Sequence, residues 1–161
     1  MPCRKKRRVL NFTAEVAKML ALELDKASVK IFMGKLLREN LFDEFEARSV
    51  EILAAVKVTV DGANESGFAT WESLRPMAYE IVKMCAKPRR MKIIFSQKSA
   101  DEIHTNAAAL FLNIVYENDG VTFTTATAQK EFVADKSLDI TWDDRIREFF
   151  AKAGIAVSDR E

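Results

Sequence analysis

Leu110-Phe-Leu-Asn-Ile-Val-Tyr116, Glu117-Asn-Asp-Gly120 and Val121-Thr-Phe-Thr-Thr-Ala-Thr127 together form the stretch that decides the fold. Two runs rich in β-branched and aromatic residues flank a short Asn/Asp/Gly link, and that composition predicts an antiparallel hairpin. Leu110, Leu112, Ile114 and Tyr116 alternate along one side of the first run. Phe111 and Val115 occupy the other side, and Phe123 adds to the apolar count, so the hairpin reads as apolar on both faces. Such a hairpin is either covered twice or carries an exposed adhesive face. On the second reading Phe111, Val115 and Phe123 are candidate contacts for a partner.

Working outward, Met91 to Phe95 reads as a strand, and the polar segment after it leads into the hairpin. Upstream, Leu74, Met77, Ala78, Ile81, Val82 and Cys85 share one helical face between Thr70 and Ala86. Pro76 inside this segment predicts either a helix starting near Ser73, with the proline in its first turn, or a kink. Lys87-Pro-Arg-Arg90 stops it. From Ala47 to Asp61 apolar and polar residues alternate over a length that suits one bent strand or two strands meeting near Ala54-Ala55. Residues 61–67 form a loop by composition. Val29, Phe32, Met33, Leu36 and Leu37 predict an amphipathic helix behind Asp25 and ending near Asn40, and Leu20, Leu22 and Leu24 predict the first strand. Trp142, Ile146, Phe149, Phe150 and Ala153 mark a last helix from about Leu138 to Ala153, capped by Gly154. Trp71, Trp142, Phe149 and Phe150 read as core anchors. The order β-α-β-(β)-α-β-β-β-α, with short β-β links, predicts an α+β domain: a mainly antiparallel sheet with three helices.

With 161 residues, 48% hydrophobic and 30% charged, the chain has the profile of one packed domain. We expect a single α+β domain over residues 19–154, a basic leader over 1–18 and a loose tail over 155–161. Six of the 25 Lys and Arg but one of the 24 Asp and Glu fall in residues 1–18, leaving 19 against 23 in the rest, a body of about −4. The run Arg4-Lys-Lys-Arg-Arg8 is a nuclear-localisation or nucleic-acid patch on one reading. On another it is a start-site artefact: back-translation of residues 14–19 admits GGAGGT about seven nucleotides before the ATG of Met19. No apolar run reaches the ~18 residues of a membrane span. The leader lacks a secretory apolar region, and Cys3 and Cys85 are too few for a disulfide framework, so a cytoplasmic protein is expected.

Read together, several short motifs resemble a family of small bacterial proteins classed as a domain of unknown function, number five-seven-two-one. The likeness rests on Val29-Lys-Ile-Phe-Met-Gly-Lys-Leu-Leu37, Phe42-Asp43, Val60-Asp-Gly62 and Trp71-Glu-Ser-Leu-Arg-Pro76. It continues through Leu110-Phe-Leu-Asn-Ile114, Tyr116-Glu-Asn118, Asp135-Lys-Ser-Leu138 and Trp142-Asp143, covering roughly residues 19 to 154. The resemblance implies a small stand-alone protein beginning at the equivalent of Met19, and it brings no activity, cofactor or catalytic residue with it. The loop after Gly62 departs from the family, where it is often longer and more acidic.

The chemistry legible in the residues is sparse. One histidine and no Cys/His cluster exclude the usual zinc ligand sets, so no metal is expected. Asp139, Asp143 and Asp144 read as solvated charges answering a helix dipole rather than as cation ligands. The five glycines stand apart and match no phosphate-binding loop, so no nucleotide cofactor is expected. His104, with Asp101 and Glu102 nearby in sequence, is a weak candidate for a general base with a carboxylate orienter, against an ordinary loop histidine. Cys85 reads as an inert core thiol. Arg75, Lys83, Lys87, Arg89, Arg90 and Lys92 are candidates for an anion-binding patch, against a solvated helix end. Three functional readings follow. The first is a non-enzymatic protein-interaction or regulatory module that binds an unknown partner or itself. The second is a nucleic-acid or phosphate-ligand binder using the basic turn, and the third is an enzyme built on His104.

Overall fold

A computed structural model describes residues 20–85 and 87–160. The leader and the expected start at Met19 lie outside these residues. The α+β expectation holds. Among the described residues nine strands and four α-helices follow one another as β1 (Ala21–Leu24), α1 (Val29–Leu37), β2 (Glu46–Leu53), β3 (Lys57–Asp61), β4 (Ala63–Asn64), β5 (Gly67–Phe68), α2 (Trp71–Met84), β6 (Arg90–Ser96), the single-turn α3 (Ala100–Ile103), β7 (Ala107–Glu117), β8 (Gly120–Gln129), α4 (Ser137–Ala153) and β9 (Val157–Asp159). Seven strands form one antiparallel sheet in the order β3-β2-β6-β7-β8-β1-β9, and β4 and β5 pair separately. None of the described helices is long and apolar enough to cross a membrane.

The hairpin sits at the centre. Asn118 and Asp119 both adopt positive φ, 54° and 59°, and Glu117 faces Gly120, the geometry of a two-residue turn whose twist matches its strands. Asn and Asp tolerate that left-handed conformation better than most residues, which is why this link can be so short. The register then sets the faces: Phe95 pairs with Leu112, Ile93 with Ile114, and Ile114 with Phe123. All of these point to the side that the helices cover. Phe32 of α1 and Phe150 of α4 close on the Phe123 ring at centroid distances of 5.2 and 4.6 Å. Trp71 at the start of α2 meets Phe95 edge-on at 5.3 Å. The helices therefore form one layer and the sheet the other, with the core between them.

Several expectations are corrected. Phe123 is not a surface residue: it is 1% exposed, in the heart of this core. The tail is not loose over its described part, because Val157–Asp159 pairs with β1 and extends the sheet by one strand. Gly154, at φ +69°, caps α4 in the left-handed conformation and turns the chain back, after which the Asp25 N–H donates to Ala156 O and Arg147 pairs with Asp159 at 2.9 Å. The segment 61–67 holds most of a miniature hairpin rather than plain loop. Helix α2 starts at Trp71, which places Pro76 in its second turn and not its first. Cys85 is only partly buried. The run 46–61 is two strands, broken at Ala54–Val56 where the Ala54 N–H bonds back to Val56 O.

Candidate functional site

His104 follows the single-turn helix α3, half-buried. The Asn106 N–H donates to its Nδ1 at 3.1 Å, so that nitrogen is unprotonated and Nε2 carries the hydrogen, which faces Ser137 Oγ at 3.0 Å. A base acting on Ser137 would need the opposite tautomer. Asp101 does not orient the ring; it lies 4.0 Å from Lys130 Nζ. Neither Asp101 nor Glu102 bonds to His104 among the described contacts. The bonds from His104 tie the loop before β7 to the first turn of α4.

The six cations are not gathered into one patch. Arg75 forms a forked pair with Asp43 at 2.8 and 2.9 Å, and its Nη1 reaches Arg38 O, fastening α2 to the segment after α1. Its bond to Asp43 holds the guanidinium pKa above its ordinary value. Lys83 pairs with Glu80, and Lys87 pairs with Asp119 of the hairpin turn at 2.8 Å. That bond lowers the Asp119 pKa and raises that of Lys87. Arg89 donates to Ala54 O, and Arg90 bridges Glu51 and Glu117 across β2, β6 and β7. Among the described residues, neither Arg89 nor Lys92 makes an ion pair.

The acidic residues of α4 also differ from expectation. Asp143 accepts a bond of 2.6 Å from the Thr125 hydroxyl and Asp139 accepts one from Thr127, so both turn toward the sheet instead of capping the helix in solvent. Burial pushes the Asp143 pKa up, against the opposing pull of the Thr125 bond. A carboxyl whose folded pKa exceeds its unfolded value binds its proton more tightly when folded, so its contribution to stability falls as pH rises from the ordinary 3.8 through the raised value. Asp143→Asn removes that decline while keeping an acceptor for Thr125. Thermal midpoints measured from acid to neutral pH should show the variant gaining on the parent as pH rises. A constant difference would contradict this account.

What the sheet leaves uncovered is its other face. Ile94, Phe111 and Val115 lie there half-buried, with Lys92, Asn113, Thr122 and Thr124 around them and, among the described residues, no helix above. At one end Arg48 is clamped: its guanidinium lies 3.8 Å from the Phe68 ring centroid and 5.1 Å from that of Phe111, and its Nε donates to the buried Ser96 hydroxyl at 3.0 Å. A stacked guanidinium of this kind is worth about 0.5–2 kcal/mol and keeps its remaining N–H groups in a fixed plane. Sequence reading missed Arg48, Phe68 and Ile94. One signal was present: Ala47 and Val50 both point to the core three residues apart, a break in period two that marks the bulge between Ala47 and Ser49. The bulge is what puts Arg48 on the open side.

A second concavity, of about 150 Å³, lies where the segment 38–45 meets α4. Phe45, Trp142 and Phe149 contribute to its apolar floor, and Glu44, Gln97 and Arg145 stand on its rim. None of these three polar residues stood out in the sequence, because they come from three separate elements.

The profile of a family of unknown function (DUF5721) matches residues 35–158 of the chain, which covers strands β2 to β8, helices α2 to α4, the last three residues of α1 and the first two of β9. No curated protein and no solved structure matches it.

Proposed function

We propose that this chain, which belongs to the DUF5721 family of unknown function, is a non-enzymatic interaction module whose uncovered sheet face pairs with the same face of a second copy. The observation that carries the reading is the one-sided layering: among the described residues the three long helices pack on one face, while Ile94, Phe111 and Val115 stand on the other with no helix over them.

Two features favour a second copy as the occupant. Seven strands ~4.8 Å apart and ~6 residues long give a face of about 30 by 20 Å. Two such faces in contact would bury on the order of 1,200 Å², the lower edge of a standard stable interface. The face also carries both signs of charge, with Arg90 bridging Glu51 and Glu117 and, among the described residues, Arg48 and Lys92 outside any ion pair opposite an equally unpaired Glu23, so it can complement itself about a two-fold axis. The free Cys85 and the small cysteine count fit a reducing bacterial cytoplasm.

Sedimentation velocity of the full chain over a wide concentration range tests the reading. We expect a reversible monomer–dimer equilibrium, shifted to monomer by Val115→Asp and by Phe111→Asp with unchanged far-UV circular dichroism. The parent chain remaining monomeric at the highest attainable concentration would overturn the proposal, and so would dimers that persist in both variants.

A further inference from the structure

Strand β3 ends the sheet: among the described residues it pairs with β2 alone, and its outer edge faces no other strand. The ladder determines which of its main-chain groups point outward. In an antiparallel pair, directly opposed residues alternate between exchanging hydrogen bonds and exchanging none. Gly62 continues the register opposite Arg48, and its N–H donates to Arg48 O at 3.0 Å; at the other end Ala54 lies opposite Val56 and donates to Val56 O at 2.9 Å. Both are bonded positions. By alternation Val58 and Val60 bond to β2 as well, while the N–H and C=O groups of Lys57, Thr59 and Asp61 turn away from it.

Open edges are ordinarily blunted by proline, a bulge, a very short strand or an inward charge. The far edge of this sheet follows that rule, because β9 has three residues and its Asp159 is held by Arg147 at 2.9 Å. Strand β3 has five residues with neither proline nor glycine, and the nearby bulge lies in β2, between Ala47 and Ser49. Its two charges, Lys57 and Asp61, stand at opposite ends and have opposite signs.

The strand is therefore its own complement. Turned about a two-fold axis that passes through Thr59 normal to the sheet, Lys57-Val-Thr-Val-Asp61 sets Lys57 opposite Asp61, Val58 opposite Val60 and Thr59 opposite Thr59 of a second copy. The bonded positions of that pairing are Lys57, Thr59 and Asp61, whose main-chain groups are already turned outward. Val58 and Val60 fall at the non-bonded positions, where side chains approach most closely. Both are half-buried, and Val60 already packs against the core. The charged ends are available as well. Glu51, which lies 3.7 Å from Lys57, is also engaged by Arg90 at 3.4 Å, and Asp61 forms no ion pair among the described residues. One Asp61 oxygen accepts from the Ala63 N–H, which leaves the other for an incoming lysine.

We infer that β3 is a docking edge for a second copy of this chain, joined antiparallel to its own β3, so that two sheets become one with the helices of both copies on the same side. The contact uses the sheet's edge and not its uncovered face, so it is independent of the face-to-face dimer. Five residues a side bury far less than the ~1,600 Å² of a standard interface, which puts the dissociation constant on the order of 0.1–1 mM.

Amide hydrogen exchange, read by NMR on the full chain carrying Val115→Asp to block the face, tests the edge. Raising the protein from ~50 µM to ~1 mM should slow exchange at Lys57, Thr59 and Asp61 about twofold or more, and leave Val58 and Val60, protected by β2 throughout, unchanged. Thr59→Pro deletes an outward N–H that β2 does not use, so it should abolish the concentration dependence at Lys57 and Asp61 with the fold kept. Lys57→Asp sets like charges opposite each other and should do the same, and adding Asp61→Lys to it should restore the dependence. The inference is overturned if exchange at the three amides is independent of concentration, if the dependence survives Lys57→Asp, or if the double exchange of charge fails to restore it. A dependence confined to Val157–Asp159 would also overturn it, by assigning the contact to the other edge. Failure of the face-to-face reading alters none of these outcomes, because the face is blocked throughout.

Discussion

Trp71→Ala is expected to destabilise the protein by about 3–5 kcal/mol, the range for emptying a buried tryptophan site. Trp71 is fully buried, and its ring sits edge-on to Phe95 in the middle of the sheet's covered face. It also has a polar task. Leu36 lies in the last turn of α1, where carbonyls have no partner within the helix, and the Trp71 indole N–H supplies one at 2.9 Å. Trp71→Phe separates the two contributions: it keeps most of the apolar area but orphans the Leu36 carbonyl, a loss of about 1–3 kcal/mol. Urea unfolding with unchanged m-values would read both numbers. A cost below about 1 kcal/mol for the alanine variant would remove Trp71 from the list of core anchors. Equal costs for the two variants would assign the residue's role to the hydrogen bond rather than to its volume.

The sequence showed Trp71 as an anchor but not its bond to Leu36, and that difference runs through the whole molecule. Elements with a strong local signature were legible. Trp142, Ile146, Phe149 and Phe150 recur at helical spacing, Gly154 marks the stop, and Asn118-Asp119 marks the turn, because each depends on neighbours within a few residues. Which face of the hairpin the helices would cover was not legible. Phe111 and Phe123 both stand among β-formers, and only the pairing of Ile114 with Phe123 puts one outside and the other in the core. Strand β9 is three residues long and owes its existence to β1, more than a hundred positions away. The basic turn was misleading for the same reason. Arg75, Lys87 and Arg90 are answered by Asp43, by Asp119, and by Glu51 with Glu117, all of which lie tens of residues away in sequence. The uncovered face and the cleft are likewise assembled from separate elements, so neither left a contiguous motif to read.

Gly62→Ala is the second large effect, and it arises from close approach rather than from lost contacts. A Cβ at Gly62 would lie 1.7 Å from Ala47 O and 2.8 Å from Ala47 C, both backbone atoms that cannot rotate away. The glycine holds three segments together: its N–H donates to Arg48 O, its carbonyl accepts from the Ala69 N–H, and Ala47 and Ala69 bond alongside. Relieving the clash means pulling the end of β3 off the β2 bulge, for a cost of about 3 kcal/mol, the upper part of the range for overpacked sites. Gly67→Ala is the informative contrast. Gly67 has a strained φ of +133° but nothing within 4 Å, so the penalty there is local, about 1 kcal/mol. Thermal and urea unfolding should therefore rank Gly62→Ala well below Gly67→Ala in stability. A reversal would mean that backbone conformation, not steric approach, fixes Gly62. The displaced bulge also carries Arg48, so the stack of Phe68, Arg48 and Phe111 should loosen with it. If the uncovered face pairs two copies, Gly62→Ala should weaken the dimer even at temperatures where the monomer remains folded.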